Sequence, residues 1–139
     1  MRYYPVYLDI KNRDCLVIGG GSVGTRKVLT LLACGANVTV VSTIATEKLK
    51  ELSSHGVIKL KQRSFQTADL DDRFLIIGAT DNQELNFNIH TEAERRGLLC
   101  NIADRPEACN FILPSIVNRG ELIIAISTSG KSPAFAKKL

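Results

Sequence analysis

Gly19-Gly20-Gly21-Ser22-Val23-Gly24 satisfies G-x-G-x-x-G, a spacing that lets a chain wrap a pyrophosphate. In that pattern Gly19 permits the tight turn, Gly21 lets the backbone approach the phosphates, and Gly24 lets a helix pack closely on the preceding strand. The helix that follows turns its first N–H groups toward the anion. The motif alone is weak, and its weight comes from context. Here the apolar run Cys15-Leu16-Val17-Ile18 precedes it, and Val23, Val28, Leu31 and Leu32 follow at helical spacing. A dinucleotide is therefore expected, against a glycine turn that serves only packing.

Three other places bear on that ligand. A NAD site commonly carries Asp or Glu about 20 residues beyond the glycines to hold the ribose hydroxyls. The corresponding strand end here is Ser42-Thr43, so hydroxyls must serve instead. No arginine sits directly at that strand end to favour a 2′-phosphate, which inclines the residues to NAD without settling it against NADP. Ala79-Thr80-Asp81 ends a later strand on the edge where open sheets bind ligands; Asp81 is equally readable as the N-cap of the next helix. Asp104 follows the strand Leu98 to Ile102, and its carboxylate beside a nicotinamide could take a proton while hydride leaves a substrate. From spacing alone a turn residue ahead of Arg105-Pro106 is the favoured reading.

A rival motif lies near the end. Ala125-Ile126-Ser127-Thr128-Ser129-Gly130-Lys131-Ser132 fits the looser phosphate-loop pattern, with Ala where the strict form has Gly. A phosphate loop needs a downstream strand with an Asp to help hold magnesium, and only Pro133 to Leu139 follow. A Ser/Gly-rich turn with a helix cap is the expectation. Cys15, Cys34, Cys100 and Cys109 form no CxxC pair, and His55 and His90 lie near none of them in sequence, so no metal ligand set is expected. Cys109, in a loop close after Asp104, is read as structural for want of an identified base.

The elements that position these residues alternate in type. Strands are expected over Cys15–Ile18, Val38–Val41, Val57–Leu60, Phe74–Ile77 and Leu98–Ile102, with helices after the glycine turn, over Thr46–Leu52 and over Asn82–Arg96. Gly35, His55-Gly56 and Gly97 end those helices. Strands apolar on both faces alternating with helices predict an α/β, Rossmann-like, doubly wound parallel sheet. After Asp104, Phe111–Val117 and Leu122–Ser127 flank Asn118-Arg119-Gly120-Glu121 as a C-terminal β-hairpin. Ser132-Pro133 then opens a helix that Leu139 cuts short, which predicts a truncated helical region at the front of something longer. The expected division is residues 1–117 as the nucleotide-binding domain and 118–139 as the return strand and the start of that helical region.

Composition excludes several classes. At 139 residues, 45% hydrophobic and 23% charged, the chain reads as one ordinary globular domain, with no run approaching the ~20 apolar residues of a membrane span. The N-terminus lacks a signal-peptide core, so a cytoplasmic protein is expected. Lys131, Lys137 and Lys138 account for three of the 18 bases, leaving 15 against 14 acids before them. A nearly neutral body without a basic, aromatic-interleaved stripe argues against nucleic acid.

Taken together, Tyr4-Pro5-Val6-Tyr7-Leu8, the turn Val17 to Gly24 followed by Arg26-Lys27, Ala79-Thr80-Asp81-Asn82, Cys100-Asn101-Ile102-Ala103-Asp104, Phe111-Ile112-Leu113-Pro114-Ser115-Ile116-Val117, Ala125-Ile126-Ser127-Thr128 and Ser132-Pro133 resemble the precorrin-2 dehydrogenase domain of sirohaem synthases. The resemblance covers essentially the whole chain. It implies NAD-dependent oxidation of precorrin-2 to sirohydrochlorin, and in some relatives ferrochelatase activity with ferrous iron as a second substrate. On this resemblance Gly19, Gly20, Gly21, Ser22, Val23 and Gly24 hold the pyrophosphate, Ser42, Thr43 and Ile44 lie by the adenosine ribose, and Thr80 and Asp81 line the cofactor cleft. Asp104 falls on the family's active-site aspartate, which reverses the spacing-only preference and makes it the candidate general base. Arg105, Arg119 and Lys131 are cations that could complement a polycarboxylate substrate, although solvent exposure is the more ordinary role. Relatives continue past Ser132-Pro133 into a helical region that contributes to dimerisation, so a homodimer is expected of the longer protein. The competing reading is a non-catalytic nucleotide-sensing module of the potassium-transport type, which usually carries an acid where this chain has Ser42.

Overall fold

Cys15, Leu16, Val17 and Ile18 are at most 1% exposed, which only the central strand of a sheet covered on both faces allows. In the computed structural model, which describes residues 1–127, that strand is β1 (Asp14–Ile18). It is followed by α1 (Ser22–Ala33), β2 (Asn37–Val41), α2 (Glu47–Ser54), β3 (Lys59–Lys61), β4 (Leu75–Gly78), α3 (Gln83–Arg96) and β5 (Leu99–Ile102), with short 3-10 turns at Thr67–Leu70 and Pro106–Ala108. The five strands are parallel in the order β3-β2-β1-β4-β5. The expected doubly wound sheet is thus present, and its winding reverses direction between β1 and β4.

Alternation along each strand sorts the core into two layers. Leu16, Ile18, Val41, Ile76, Cys100 and Ile102 gather with Ile89 and Ala93 of α3. Cys15, Val17, Val38, Val40 and Ile77 point to the opposite face, where α1 contributes buried Val28 and Leu31. Each fully buried aliphatic side chain contributes about 1.5–3 kcal/mol. Truncating Ile76 to Ala would therefore cost about 2–5 kcal/mol once the cavity is included.

The helices end by one device. The N–H of Gly35, Gly56 and Gly97 bonds back to Leu32, Ser53 and Glu94, and the N–H of the next residue reaches Leu31, Leu52 and Ala93. These are paired Schellman closures that satisfy the last carbonyls. The second closure explains a shifted boundary. Val57, expected to begin the third strand, spends its N–H on Leu52, so pairing with β2 starts only at Lys59. A second correction concerns capping: the side chain of Asn82, not Asp81, accepts the Leu85 N–H at the start of α3.

Residues Val6–Asn110 form one compact unit. Residues 1–5 and those from 111 onward form another, whose described structure is an antiparallel ribbon of β6 (Ser115–Arg119) and β7 (Leu122–Ile126). The first strand of this hairpin was expected from Phe111. Pro114 has no N–H to give a ladder, and pairing begins immediately after it. At the other end Arg119 pairs with Leu122, so the turn contracts to Gly120-Glu121. The expected helix at Ser132-Pro133 and most of the phosphate-loop-like stretch lie outside the described residues. No helix among the described residues is long and apolar enough to cross a membrane.

Candidate active site at the carboxyl edge of the sheet

The glycine turn joins β1 to α1 at the carboxyl ends of the strands, beside the reversal in winding, where open α/β sheets bind ligands. Gly19 has a φ of +121°, and a Cβ there would stand 2.4 Å from the Ala79 carbonyl oxygen. A Cβ on Gly24 would meet the Gly19 carbonyl oxygen at 2.1 Å, and one on Gly20 would meet that of Ile44 at the same distance. Those three glycines let backbone pack on backbone. Gly21 is different: a Cβ there would meet nothing within 4 Å. Its missing side chain opens a cradle toward the outside of the turn.

Gly21 is the N-cap of α1, whose first turn carries no acid, whereas Glu47 and Glu84 occupy the first turns of α2 and α3. The first N–H groups of a helix lack intrahelical acceptors and carry the positive end of its dipole. Ser22 and Val23 extend this edge. An open cradle over uncompensated N–H donors fits a pyrophosphate, so the residues present suit a dinucleotide.

Two further loops are tied to that turn. Thr46 N donates to the Gly20 carbonyl at 3.0 Å, and the Thr46 hydroxyl lies 2.8 Å from that of Thr25, which in turn donates to the Gly21 carbonyl at 2.7 Å. This binds the segment Ser42, Thr43 and Ile44 against the glycines. Within it Ser42 Oγ accepts the Ile44 N–H, and Ile44 is 64% exposed. On the other side Ala79 N donates to the Ile18 carbonyl at 2.7 Å, bringing Thr80 beside Gly19. The Thr80 hydroxyl donates to Asn86 Oδ1 at 2.7 Å and accepts the Asn82 N–H, while Asn86 Nδ2 returns a bond to the Thr80 carbonyl. Buried Asn86 thus clamps the turn that carries Thr80 and Asp81. Thr25, Thr46 and Asn86 lie outside the residues that the sequence motifs single out. Their polarity on otherwise amphipathic elements was the available signal, but their partners are 21 and six residues away.

Asp104 lies past the carboxyl end of β5, two strand spacings from the glycine turn, or roughly 10 Å across the same edge. It is exposed and holds a left-handed backbone, with φ of +61°. Aspartate tolerates that region better than most residues, yet the conformation remains uncommon and collects at functional turns. The turn is closed from below. Ala103 N donates to the Gly78 carbonyl, Arg105 N to that of Ile102, and the Cys109 thiol lies 3.2 Å from the Ile102 N–H that it accepts and 3.1 Å from the Arg105 carbonyl. Burial raises the Cys109 thiol pKa, which suits a neutral structural group. Cys109 therefore braces the loop of Asp104.

A concavity of about 430 Å³ lined by Arg13, Asp14, Asp72 and Phe74 opens at the amino ends of the strands, the wrong edge for this chemistry. Among the described residues no cluster of three or more His, Cys, Asp or Glu is positioned to hold a metal ion.

Comparison with known proteins agrees with this geometry. Residues 6–115 match the family model described as "Putative NAD(P)-binding", and residues 119–139 match "Sirohaem biosynthesis protein central". The chain is similar along its whole length to sirohaem synthase of Nitrosococcus oceani, at 42% identity, and to sirohaem synthase 1 of Serratia proteamaculans, at 41%. It spans only 30% and 29% of those two proteins. Among solved structures it resembles SirC, a precorrin-2 dehydrogenase, with a TM-score of 0.86 and 34% identity over 98% of this chain and 67% of that one.

Proposed function

This chain belongs to the sirohaem synthase and precorrin-2 dehydrogenase family, and from that premise we propose that it binds NAD and oxidises precorrin-2 to sirohydrochlorin. The observation that carries the reading is the left-handed turn holding Asp104 on the same sheet edge as the open Gly21 cradle. When bound, the nicotinamide supplies the two-electron acceptor. The backbone from Gly19 to Gly24 holds the pyrophosphate, Ser42, Thr43 and Ile44 flank the adenosine ribose, and Thr80 and Asp81 line the cleft between the two ends. Asp104, the catalytic base, takes the proton that the tetrapyrrole loses as it gives up hydride. The matches favour this enzyme over a nucleotide-sensing regulatory module.

An anaerobic reaction of freshly generated precorrin-2 with NAD, following sirohydrochlorin absorbance and NADH together, tests the reading. Equal formation of both supports it, and their absence from this chain and from a C-terminally extended form refutes it. Ferrous iron is a second substrate on the chelatase extension of this reading, with Asp104 accepting pyrrole protons; metallation of sirohydrochlorin in the same assay measures it. We read the assembly as a homodimer. Ile116, Leu122 and Ile124 are at least 41% exposed on a two-stranded ribbon, an element only marginally stable without cover. The four free thiols suit a reducing, cytoplasmic setting.

A further inference from the structure

A dinucleotide fold selects between NAD and NADP at the end of its second strand, where an acid holds the ribose hydroxyls or a nearby arginine takes the 2′-phosphate. In this chain the strand end is Ser42-Thr43, which offers no negative charge to repel a phosphate. An arginine stands at the same corner. β2 and β3 pair as far as Val41 with Lys61, Ser42 N donates to the Lys61 carbonyl at 3.1 Å, and the Gln62 amide reaches the Thr43 carbonyl at 3.5 Å. Arg63 follows at once, its own N–H turned back onto Lys61. Neutral hydroxyls with an adjacent arginine would favour a 2′-phosphate.

Arg63 is already engaged. Its Nη1 donates to Asp69 Oδ2 at 2.9 Å and its Nη2 to Asp69 Oδ1 at 2.6 Å, a bidentate fork, and Nη1 also reaches the Ser64 carbonyl. The Asp69 side chain is only 4% exposed and accepts the Gln66 N–H at 2.8 Å, so it cannot swing away. A phosphate that drew Arg63 off would leave a buried carboxylate without its cation, which is strongly unfavourable.

We propose that Asp69 is a cofactor-specificity residue: by occupying Arg63 beside the ribose corner, it denies a 2′-phosphate its cation and fits the site to dinucleotides with an unmodified 2′-hydroxyl. The acid missing from the end of β2 is supplied instead from the 3-10 turn after β3 and acts through an arginine. Asp69 is a positioning residue in this role, since it touches Arg63 and not the ligand. The inference rests on the adenosine ribose lying at Ser42 to Ile44.

Dissociation constants for NAD and NADP, measured on this chain and its variants, test it. The parent chain should prefer NAD at least tenfold. Asp69→Asn should narrow that ratio at least tenfold, chiefly by tightening NADP, and adding Arg63→Gln should restore it. A folded Asp69→Asn chain that binds NAD with the parental ratio overturns the proposal. If Asp69→Asn does not give a cooperative thermal transition, Gln62→Arg decides. It places an unengaged guanidinium at an exposed position of the same corner with the ion pair intact, and an unchanged ratio there overturns the proposal. A parent chain that binds NADP as tightly as NAD defeats the specificity role alone, whereas one that binds neither defeats the cofactor reading beneath it.

Discussion

Replacing Gly21 by alanine should separate ligand binding from folding, because the structure gives the added methyl open space in the protein and a collision only with a bound phosphate. At φ −85° and ψ −160° Gly21 has a backbone any residue adopts. The substitution gains about 0.4–1 kcal/mol from a less flexible unfolded chain. It loses a comparable amount, about 0.5–1 kcal/mol, because alanine is a poorer N-cap than glycine. Stability should therefore change by less than about 1 kcal/mol. With an unfolding entropy of about 2.1 cal/mol/K per residue, that is a Tm shift within roughly 4 °C. Binding should suffer more. Holding the phosphate off the backbone forfeits a charge-assisted hydrogen bond of about 1.5–3 kcal/mol. NAD affinity should then fall roughly 10- to 150-fold.

Gly24→Ala is the opposite case. A helix-interior alanine gains about 1 kcal/mol over glycine, but its Cβ would lie 2.1 Å from the Gly19 carbonyl oxygen, where backbone must yield. Overpacking of that severity reaches about 3 kcal/mol or more, so the loss wins and Tm should drop by at least roughly 6 °C. Thermal melts paired with NAD titration by calorimetry read both quantities. Unchanged NAD affinity in Gly21→Ala would refute the pyrophosphate cradle. A melting loss equal to that of Gly24→Ala would show that Gly21 serves packing after all.

Asp104→Asn retains a residue that accepts the left-handed turn, so turnover of precorrin-2 should disappear while NAD affinity stays within about threefold, as single-turnover and binding measurements would show. Parallel loss of both would make Asp104 structural. Asn86→Ala removes the clamp on Thr80 and should raise the KM for NAD several-fold with little change in kcat; an unchanged KM would dissociate Thr80 from the cofactor. Burial pushes the thiols of Cys15 and Cys100 up to about 11 and about 12, so a maleimide at pH 7 should label exposed Cys34 first and leave those two untouched in the native chain, as peptide mapping would reveal. Arg63 holds the Asp69 carboxyl below its usual range. Its stabilising contribution is thus complete above the unfolded value near ~4 and lost as pH falls through the depressed native one. Thermal melts across that acidic window should fall more steeply for the parent chain than for Arg63→Gln/Asp69→Asn.

The sheet was legible because its signal is local. Cys15 to Ile18 is a continuous apolar run, Val38 to Val41 and Leu98 to Ile102 are each broken by one polar residue, Thr39 and Asn101, and each helix closes at a glycine that also punctuates the sequence. Boundaries slipped where one backbone group had two suitors. Val57 has the composition of a strand but gives its N–H to the end of α2, and Phe111 to Leu113 have it too but precede a proline. Asp81 and Asn82 are both good caps, and only the path of the chain selects the second. The glycine fingerprint was legible for the same local reason, whereas Asp104 on spacing alone looked like a turn residue. It is one, and the left-handed turn is what makes it a candidate catalyst. The Arg63–Asp69 pair was illegible because two charged residues six apart across a 3-10 turn carry no periodic signature.

What the carboxyl edge has in common, loop by loop, is that each is fastened to the end of a neighbouring strand by its own backbone. Thr46 N bonds to Gly20, Ala79 N to Ile18 and Ala103 N to Gly78, so the loops after β2, β4 and β5 are each pinned within one strand of the next. Ordering loops on binding would cost about 0.5–1.5 kcal/mol for each rotamer-rich side chain immobilised. Here the polar side chains nearest the site, Thr25, Thr46, Thr80 and Asn86, are already hydrogen-bonded to one another or to the loops. The cradle is preorganised, and every candidate residue from Gly19 to Asp104 falls within the unit Val6–Asn110. On the proposed site, cofactor affinity should therefore be a property of that unit's sheet edge. A substitution in the ribbon of β6 and β7 that alters turnover while leaving NAD affinity unchanged would therefore act on the tetrapyrrole or on assembly, and one that altered both would break this division of labour.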